Sequence, residues 1–217
     1  MTSWRPRTLL AQLSPRARDE LLALGMARTF ATGDILIRED GTSQEAFLLV
    51  GGFVKVTTRS VLLTIRSEGD MVGEMAAKSD QPRSATVTAC TPVAARFILA
   101  DKLAEFTDRH RKAEKLINAL IADQLLRANR RRAEFATLHV KQRLARVILE
   151  LAEICGSDTA DGLLRLPSWL PQADLADLVG VNVDTVQRAL RDLRTDGVIA
   201  TRPITILNSA ALAAVGS

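Results

Sequence analysis

The pattern of apolar and polar positions changes its period along the chain. Between Thr29 and Leu99, short apolar runs alternate with breaks rich in Gly and Asp, and Gly51-Gly52 joins two of the runs. This pattern predicts short β-strands with hairpin turns, arranged as a small barrel or jelly roll. The predicted strands cover residues 35–37, 47–50, 53–56, 61–65, 86–89 and 94–99.

Helical spacing dominates the segments outside this region. We predict helices over 8–25, where Ser14-Pro15 marks a start, over 108–138 and over 140–155. A helix over 108–138 would be about 45 Å long, more than a small domain needs. Its positions at spacings of three and four are Leu116, Ile117, Leu120, Ile121, Gln124, Ala128, Arg131, Phe135 and Leu138. This stripe favours a parallel two-stranded coiled coil with a second copy, and the alternative is packing on the chain's own barrel.

The stretch from Leu166 to Leu193 predicts two short helices joined by a tight turn. Gly180 suits the left-handed end of the first helix, and Asn182 can cap the second by accepting the N–H of Thr185. Helical spacing buries Val186, Ala189, Leu190 and Leu193 and leaves outside Val183, Asp184, Gln187, Arg188 and Arg191. A polar, arginine-bearing second helix is typical of a helix-turn-helix in a DNA major groove, although such helix pairs also occur in other helical domains. A short hairpin around Arg202-Pro203 predicts a wing.

A second distinctive stretch runs from Gly73 to Ala85 and does not follow a strand pattern. Residues 74–77 fit one helical turn, and Arg83 and Ser84 follow it after a short connection. Free amides at a helix start and the arginine fork would together form a pocket for an anion such as phosphate. Glu74 could accept hydrogen bonds from a sugar hydroxyl. The alternative is a surface loop with one Arg–Glu ion pair.

Composition narrows the classes of protein. The chain has 217 residues, and 47% of them are apolar. Its net charge of +4 is compatible with a nucleic-acid partner. Cys90 and Cys155 are far apart, and His110 and His139 are the only histidines, so we expect neither a metal site nor a disulfide framework. We find no nucleophile–base pair and predict that the chain is not an enzyme. The N-terminus has no signal peptide pattern and no run approaches the ~20 apolar residues of a membrane span, so we expect a cytoplasmic protein.

Together, these segments resemble the cyclic-AMP receptor protein / fumarate–nitrate reductase regulator (Crp–Fnr) superfamily. The resemblance rests on Gly33-Asp34, Gly73-Glu74-Met75, Pro82-Arg83-Ser84-Ala85-Thr86 and the Gly180–Leu190 segment, in this order. It implies an α+β fold: an N-terminal cyclic-nucleotide-binding β-roll over 1–107, a long central dimerisation helix over 108–138, and a C-terminal winged helix-turn-helix over 139–217. The expected protein is a homodimeric transcription factor whose sensor domain controls DNA binding.

The resemblance also assigns the effector residues. In cyclic-nucleotide-binding members, the positions of Glu74, Arg83 and Ser84 hold the ribose and the cyclic phosphate. The expected ligand-binding residues are Gly73, Glu74, Met75, Arg83, Ser84, Ala85 and, on the central helix, Asn129. No cofactor is expected to be required, and the implied effector is cyclic AMP or cyclic GMP. We call the segment from Gly73 to Ala85 the cassette. One alternative is that the cassette is degenerate and binds no ligand. A less favoured alternative is a nucleotide-sensing module that acts through protein partners.

The same resemblance assigns the DNA-binding residues. They are Asn182, Val183, Asp184, Thr185, Gln187 and Arg188. Arg188 could bind a guanine and Asp184 could accept from a cytosine, whereas Val183 can only contact a thymine methyl group. Family members often carry arginine where Val183 stands, so we expect an altered operator that remains a palindrome, because the dimer is two-fold symmetric. RNA polymerase is a further expected partner. Pro171 and His139 stand where a capping Thr and a capping Asp are usual.

Overall fold

The computed structural model describes residues 4–77 and 81–217. The chain forms two compact units. The first contains the residues up to Ser60 together with Arg66–Arg127, and the second contains Val61–Ile65 together with Ala128–Ser217. Each unit is described separately below.

The first unit carries most of the strands and the N-terminal helices. Its elements are α1 (Leu9–Gln12), α2 (Pro15–Ala23), β1 (Met26–Phe30), β2 (Ile35–Ile37), β3 (Ala46–Gly51), β4 (Phe53–Thr58), the end of β5 (Val61–Ser67), β6 (Met71–Val72), α3 (Glu74–Ala77), β7 (Thr86–Ala89), β8 (Val93–Ile98), α4 (Ala100–Arg109) and most of α5 (Arg111–Thr137). The strands form two four-stranded sheets, ordered β1-β8-β3-β6 and β2-β7-β4-β5. The predicted β-roll is therefore confirmed.

Strand β3 shows how the two-residue period of a strand builds this unit. Phe47 and Leu49 lie in a core shared by strands of both sheets, whereas Ala46 and Leu48 lie in a second core with the helices. Successive side chains of a strand point to opposite faces, so a strand that is apolar throughout can serve two cores. The middle layer of the unit is therefore the sheet that contains β3.

Among the described residues of the first unit, two strands lie outside the predicted set. β1 has the sequence Met-Ala-Arg-Thr-Phe, is largely exposed, and is paired along its length with β8 from Met26↔Phe97 to Phe30↔Val93. Its sequence has no apolar alternation that would predict a strand. Backbone hydrogen bonds to β8, and not side-chain burial, hold it in the sheet. β6 has only two residues and pairs with β3.

The apolar stripe that favoured a coiled coil packs, in its N-terminal part, on the protein's own core. Ile117 is buried there, and Leu116, Leu120 and Ile121 pack against the same helical core. This part of the stripe therefore packs, wholly or in part, within the chain, as the alternative interpretation expected, and the coiled-coil pairing with a second copy stays a prediction. The large apolar side chains exposed on α5 are instead Leu125, Leu126 and Phe135. The helix itself begins at Arg111, after a break at His110, and the domain bounds given above stay predictions.

The second unit contains the predicted helical domain. Its remaining elements are α6 (Val140–Cys155), β9 (Ser157–Asp158), β10 (Leu164–Arg165), α7 (Gln172–Val179), α8 (Val183–Thr195), β11 (Ile199–Thr201), β12 (Ile204–Ile206) and α9 (Ser209–Val215). The strands form one sheet in the order β11-β12-β10-β9, with the predicted wing hairpin at one edge. β9 and β10, two short strands that no sequence pattern above predicted, extend this sheet. None of the helices in the described parts of the chain is long and apolar enough to cross a membrane.

Candidate effector and DNA sites

The centre of the candidate effector site is the side chain of Arg83, which is only 3% exposed. Its Nη1 donates to the carbonyl oxygen of Gly73 at 3.0 Å, its Nη2 to that of Glu45 at 2.6 Å, and its Nε to Ser43 Oγ at 3.2 Å. The backbone of Arg83 is also paired with Gly41. The guanidinium therefore ties the Gly73 turn to the loop before β3.

Gly73 is required by this arrangement. Its φ of +81° is left-handed, and a Cβ there would lie 2.8 Å from Arg83 Nη1 and 2.9 Å from the carbonyl oxygen of Glu45. Both values are far below van der Waals contact, so only glycine lets the guanidinium approach the backbone. The sequence predicted Gly73 and Arg83 together, and the structure brings them into contact.

Glu74, the first residue of α3, is 6% exposed. Burial raises the pKa of its carboxyl, and the nearby Asp70 raises it further, while its own backbone N–H, Arg66 and a hydrogen bond with Gln124 of α5 lower it. Burial likewise raises the pKa of Asp70. The pKa values of two neighbouring carboxyls, those of Glu74 and Asp70, are therefore both raised by burial. The predicted role of Glu74 toward a ribose stays a prediction.

The other predicted ligand residues differ in exposure. Met75 and Ser84 are exposed and Ala85 is half-buried. Asn129 is exposed on the part of α5 that belongs to the second unit. Residues 78–80 of the cassette lie outside the described residues. Sequence analysis did not identify Ser43 or Glu45, because both contact Arg83 across a long stretch of chain and follow no motif.

The candidate DNA-binding element is the α7–α8 pair, and its turn has the predicted chemistry. Gly180 ends α7 with φ 73° and ψ 42°, and Asn182 Oδ1 accepts from the N–H of Thr185 at 2.9 Å and from its hydroxyl at 2.7 Å. Thr185 is therefore oriented by the cap, which limits the contacts that its hydroxyl can make elsewhere. Pro171 occupies the N-cap position of α7, where a proline offers no side-chain acceptor.

The faces of α8 divide as predicted. The apolar face is buried through Val186, Ala189, Leu190 and Leu193. The opposite face presents Asp184, Gln187, Arg188 and Arg191 to solvent, and Val183 is half-buried at the start of the helix. The buried face fixes the helix, so its outer side chains form one continuous polar surface.

Residues 61–65 of β5 join this unit through polar contacts that no sequence signal indicated. The N–H of Leu62 donates to Asp177 Oδ2 of α7 at 2.9 Å, and Arg131 Nη1 donates to the carbonyl oxygen of Leu63 at 2.7 Å. Arg131 also forms an ion pair with Glu150 of α6 at 2.8 Å. Arg131 therefore connects β5 with α6 within this unit.

Comparison with known proteins decides the family. A cyclic nucleotide-binding domain model matches residues 27–110, and a Crp-like helix-turn-helix domain model matches residues 142–215. A CRP-like cAMP-activated global transcriptional regulator of Mycobacterium tuberculosis is 31% identical over 186 residues, which cover 83% of this chain and 82% of that protein. This chain belongs to the CRP-like family of transcriptional regulators.

Solved structures of other proteins have the same fold. FixK2 of Bradyrhizobium japonicum aligns with a TM-score of 0.76 at 18% identity, over 89% of this chain and 98% of its own. The c-di-GMP responsive global regulator CLP of Xanthomonas campestris aligns with a TM-score of 0.75 at 19% identity, over 89% and 99%. The predicted superfamily and its β-roll and helix-turn-helix architecture are confirmed.

The buried carboxyls of this CRP-like protein give its stability a pH dependence. Because burial raises the pKa of Glu74 and Asp70, the folded protein binds more protons than the unfolded chain above their ordinary values of 4.5 and 3.8. The free energy of unfolding should therefore fall as the pH rises through the raised values. Replacing Glu74 by Gln or Asp70 by Asn should flatten this decline. Urea unfolding midpoints between about pH 5 and about pH 8 measure it.

Glu39 provides a control of opposite sign. Hydrogen bonds from the Thr58 hydroxyl and the Arg59 N–H lower the pKa of this carboxyl, so its contribution is present at neutral pH and lost in acid. The variant Glu39→Gln should lower the neutral-pH midpoint, whereas Glu74→Gln should not. Wild type and Glu74→Gln with parallel pH profiles would contradict the assignment.

Proposed function

We propose that this CRP-like protein is a homodimeric transcriptional regulator in which a cyclic nucleotide, or a related phosphate-containing effector, controls binding to a palindromic DNA site. The observation that carries the proposal is the buried guanidinium of Arg83 beside the Gly73 turn, in a chain that also carries a capped helix-turn-helix. A buried arginine held by backbone carbonyls has its fork fixed before any ligand arrives.

The effector class follows from this chemistry. An arginine fork and an adjacent exposed hydroxyl, that of Ser84, suit a phosphodiester anion. The M. tuberculosis relative is cAMP-activated and the X. campestris protein is c-di-GMP responsive, so both effectors belong with cyclic GMP among the candidates. The competing proposal is an effector-independent regulator. The observation that supports this competing proposal is that Arg83 already donates to three acceptors within the chain.

The DNA contacts follow from the exposed face of α8. Arg188 can donate to O6 and N7 of a guanine, and Asp184 can accept from N4 of a cytosine. Val183 offers only apolar contact, which suits a thymine methyl group. Asn182, Thr185 and Gln187 are better placed to orient the helix on phosphates or flanking bases, and the cap bonds already use part of the polar capacity of Asn182 and Thr185.

The dimer follows from the exposed face of α5. Leu125 and Leu126 are adjacent and are 63% and 62% exposed. Neighbouring large apolar side chains with this exposure indicate a contact surface. Exposed Ala122 and Ala119 lie about one and two turns before these leucines and leave room for close approach of a second helix. A second copy paired through this face would give the two DNA-reading helices that a palindrome requires.

The effector prediction concerns the phosphate contacts. Cyclic AMP, cyclic GMP or cyclic di-GMP should bind to the purified full-length protein in titration calorimetry, and Ser84→Ala should weaken binding at least about tenfold because a hydrogen bond to a charged group is lost. Ser84 is exposed, so this substitution should leave the melting temperature unchanged. Arg83→Ala should abolish binding. If the folded protein binds none of the three nucleotides, the effector-independent proposal replaces this one.

The operator prediction concerns Arg188. Replacing it by Ala should cost about 1–3 kcal/mol of DNA-binding free energy and relax the preference at one base pair of each half-site. Selection of sites from a random DNA library measures the preference. Arg191→Ala, one turn further along the exposed face, is the matched control and should weaken all sites uniformly. An unchanged base preference in Arg188→Ala would remove Arg188 from the reading positions.

The dimer prediction concerns the exposed leucines. A Leu125→Glu/Leu126→Glu double variant should elute as a monomer in size-exclusion chromatography with light scattering, because two charges would be buried without partners. The matched control, Lys115→Glu, alters the charge of an exposed position on the same helix and should stay dimeric. A dimeric double variant would place the contact elsewhere.

A further inference from the structure

The guanidinium of Arg83 is shared with a second charged group, the carboxylate of Glu45. The distance from Arg83 Nη2 to Glu45 Oε1 is 3.3 Å, in addition to the bond from the same Nη2 to the carbonyl oxygen of Glu45. Glu45 lies just before β3, in the loop that also supplies Ser43. Its role is separate from the sugar contact predicted for Glu74.

A count of donors shows what this contact uses. A guanidinium has five N–H groups. In the described residues, Nε donates to Ser43 Oγ, Nη1 to Gly73 and Nη2 to the carbonyl oxygen of Glu45. Counted over the described residues, each Nη atom keeps one further N–H, and Nη2 lies 3.3 Å from Glu45 Oε1. A phosphate that took both remaining donors would meet this carboxylate directly.

Burial strengthens the attraction between Arg83 and Glu45, with which a bound phosphate would have to compete. Arg83 is almost fully buried, so water screens the two charges only weakly. Burial lowers the pKa of the Arg83 guanidinium, and the charge of Glu45 opposes that effect more than the charge of Glu74 does. Glu45 is therefore the main group that compensates the arginine. A phosphodiester placed at the same edge would bring a second negative charge beside it, which is repulsive.

We propose that Glu45 is an internal competitor for the effector phosphate and sets the affinity threshold of the site. This inference rests on the proposed effector binding through Arg83. The carbonyl bonds can stay in place while the carboxylate rotates away, because the Glu45 side chain is 17% exposed and has a route to water. Effector binding therefore includes the free energy of breaking this ion pair, and removing the charge should make the site bind more tightly.

The test compares charge-neutral variants of Glu45 by calorimetry with cyclic AMP, cyclic GMP and cyclic di-GMP. Glu45→Gln keeps an acceptor for Nη2 but no charge, and should bind the effector at least about tenfold more tightly than wild type. Glu45→Ala provides a second neutral side chain should the first variant fold poorly. The matched control is Asp40→Asn on the same loop, where the side chain is exposed and asparagine tolerates the φ of 62°. It should change the affinity by less than about twofold, since an exposed charge is screened.

The outcomes separate the two proposals. Tighter binding in both Glu45 variants, with Asp40→Asn like wild type, supports competition, and so does binding that appears only when Glu45 is neutral. Equal affinities in wild type and the Glu45 variants would overturn the competition while leaving the proposed effector intact. Equal gains in Asp40→Asn would overturn it too, because they would show a general charge effect. If every variant is folded and none binds a nucleotide, the proposed effector is wrong and this inference fails with it.

Discussion

The sensor unit depends on a buried positive charge. A guanidinium with 3% exposure is unfavourable unless it has polar partners, and here two backbone carbonyls and a hydroxyl each accept one of its N–H groups while a carboxylate lies nearby. This requirement fixes several features together: a glycine at 73, the path of the loop before β3, and the start of α3. The cassette is therefore a closed polar network whose geometry is set within the chain, and any anion that uses Arg83 must join that network.

The carboxyls beneath the cassette show the opposite balance. Glu74 and Asp70 are buried near one another, and the surrounding donors do not offset their desolvation. Groups of this kind lower stability at neutral pH, and proteins retain such groups where chemistry needs them. Gln124 of α5 is among the groups that lower the pKa of Glu74, so this carboxyl lies near the helix that also carries the exposed leucines.

The DNA-binding unit depends on a division of faces. α8 buries one apolar face completely, and the Asn182 cap fixes its first turn, so the polar residues on the other side are held without contributing to the core. Such a surface can change its sequence specificity at little cost in stability. Val183 illustrates this freedom, because an apolar residue at this position is compatible with the helix and, under the proposed DNA contacts, offers no hydrogen-bonding group there.

The sequence by itself determined the elements that rest on local rules. The strand runs, α6, the left-handed Gly180, the Asn182 cap and the buried face of α8 follow from periodicity and capping chemistry, and the motif order was sufficient to assign the family. Only the tertiary structure showed that the first half of the α5 stripe packs on its own core, that β1 is a strand, and that Glu45 and Ser43 hold Arg83. These features depend on backbone pairing or on contacts between residues distant in the chain, and neither leaves a period in the sequence.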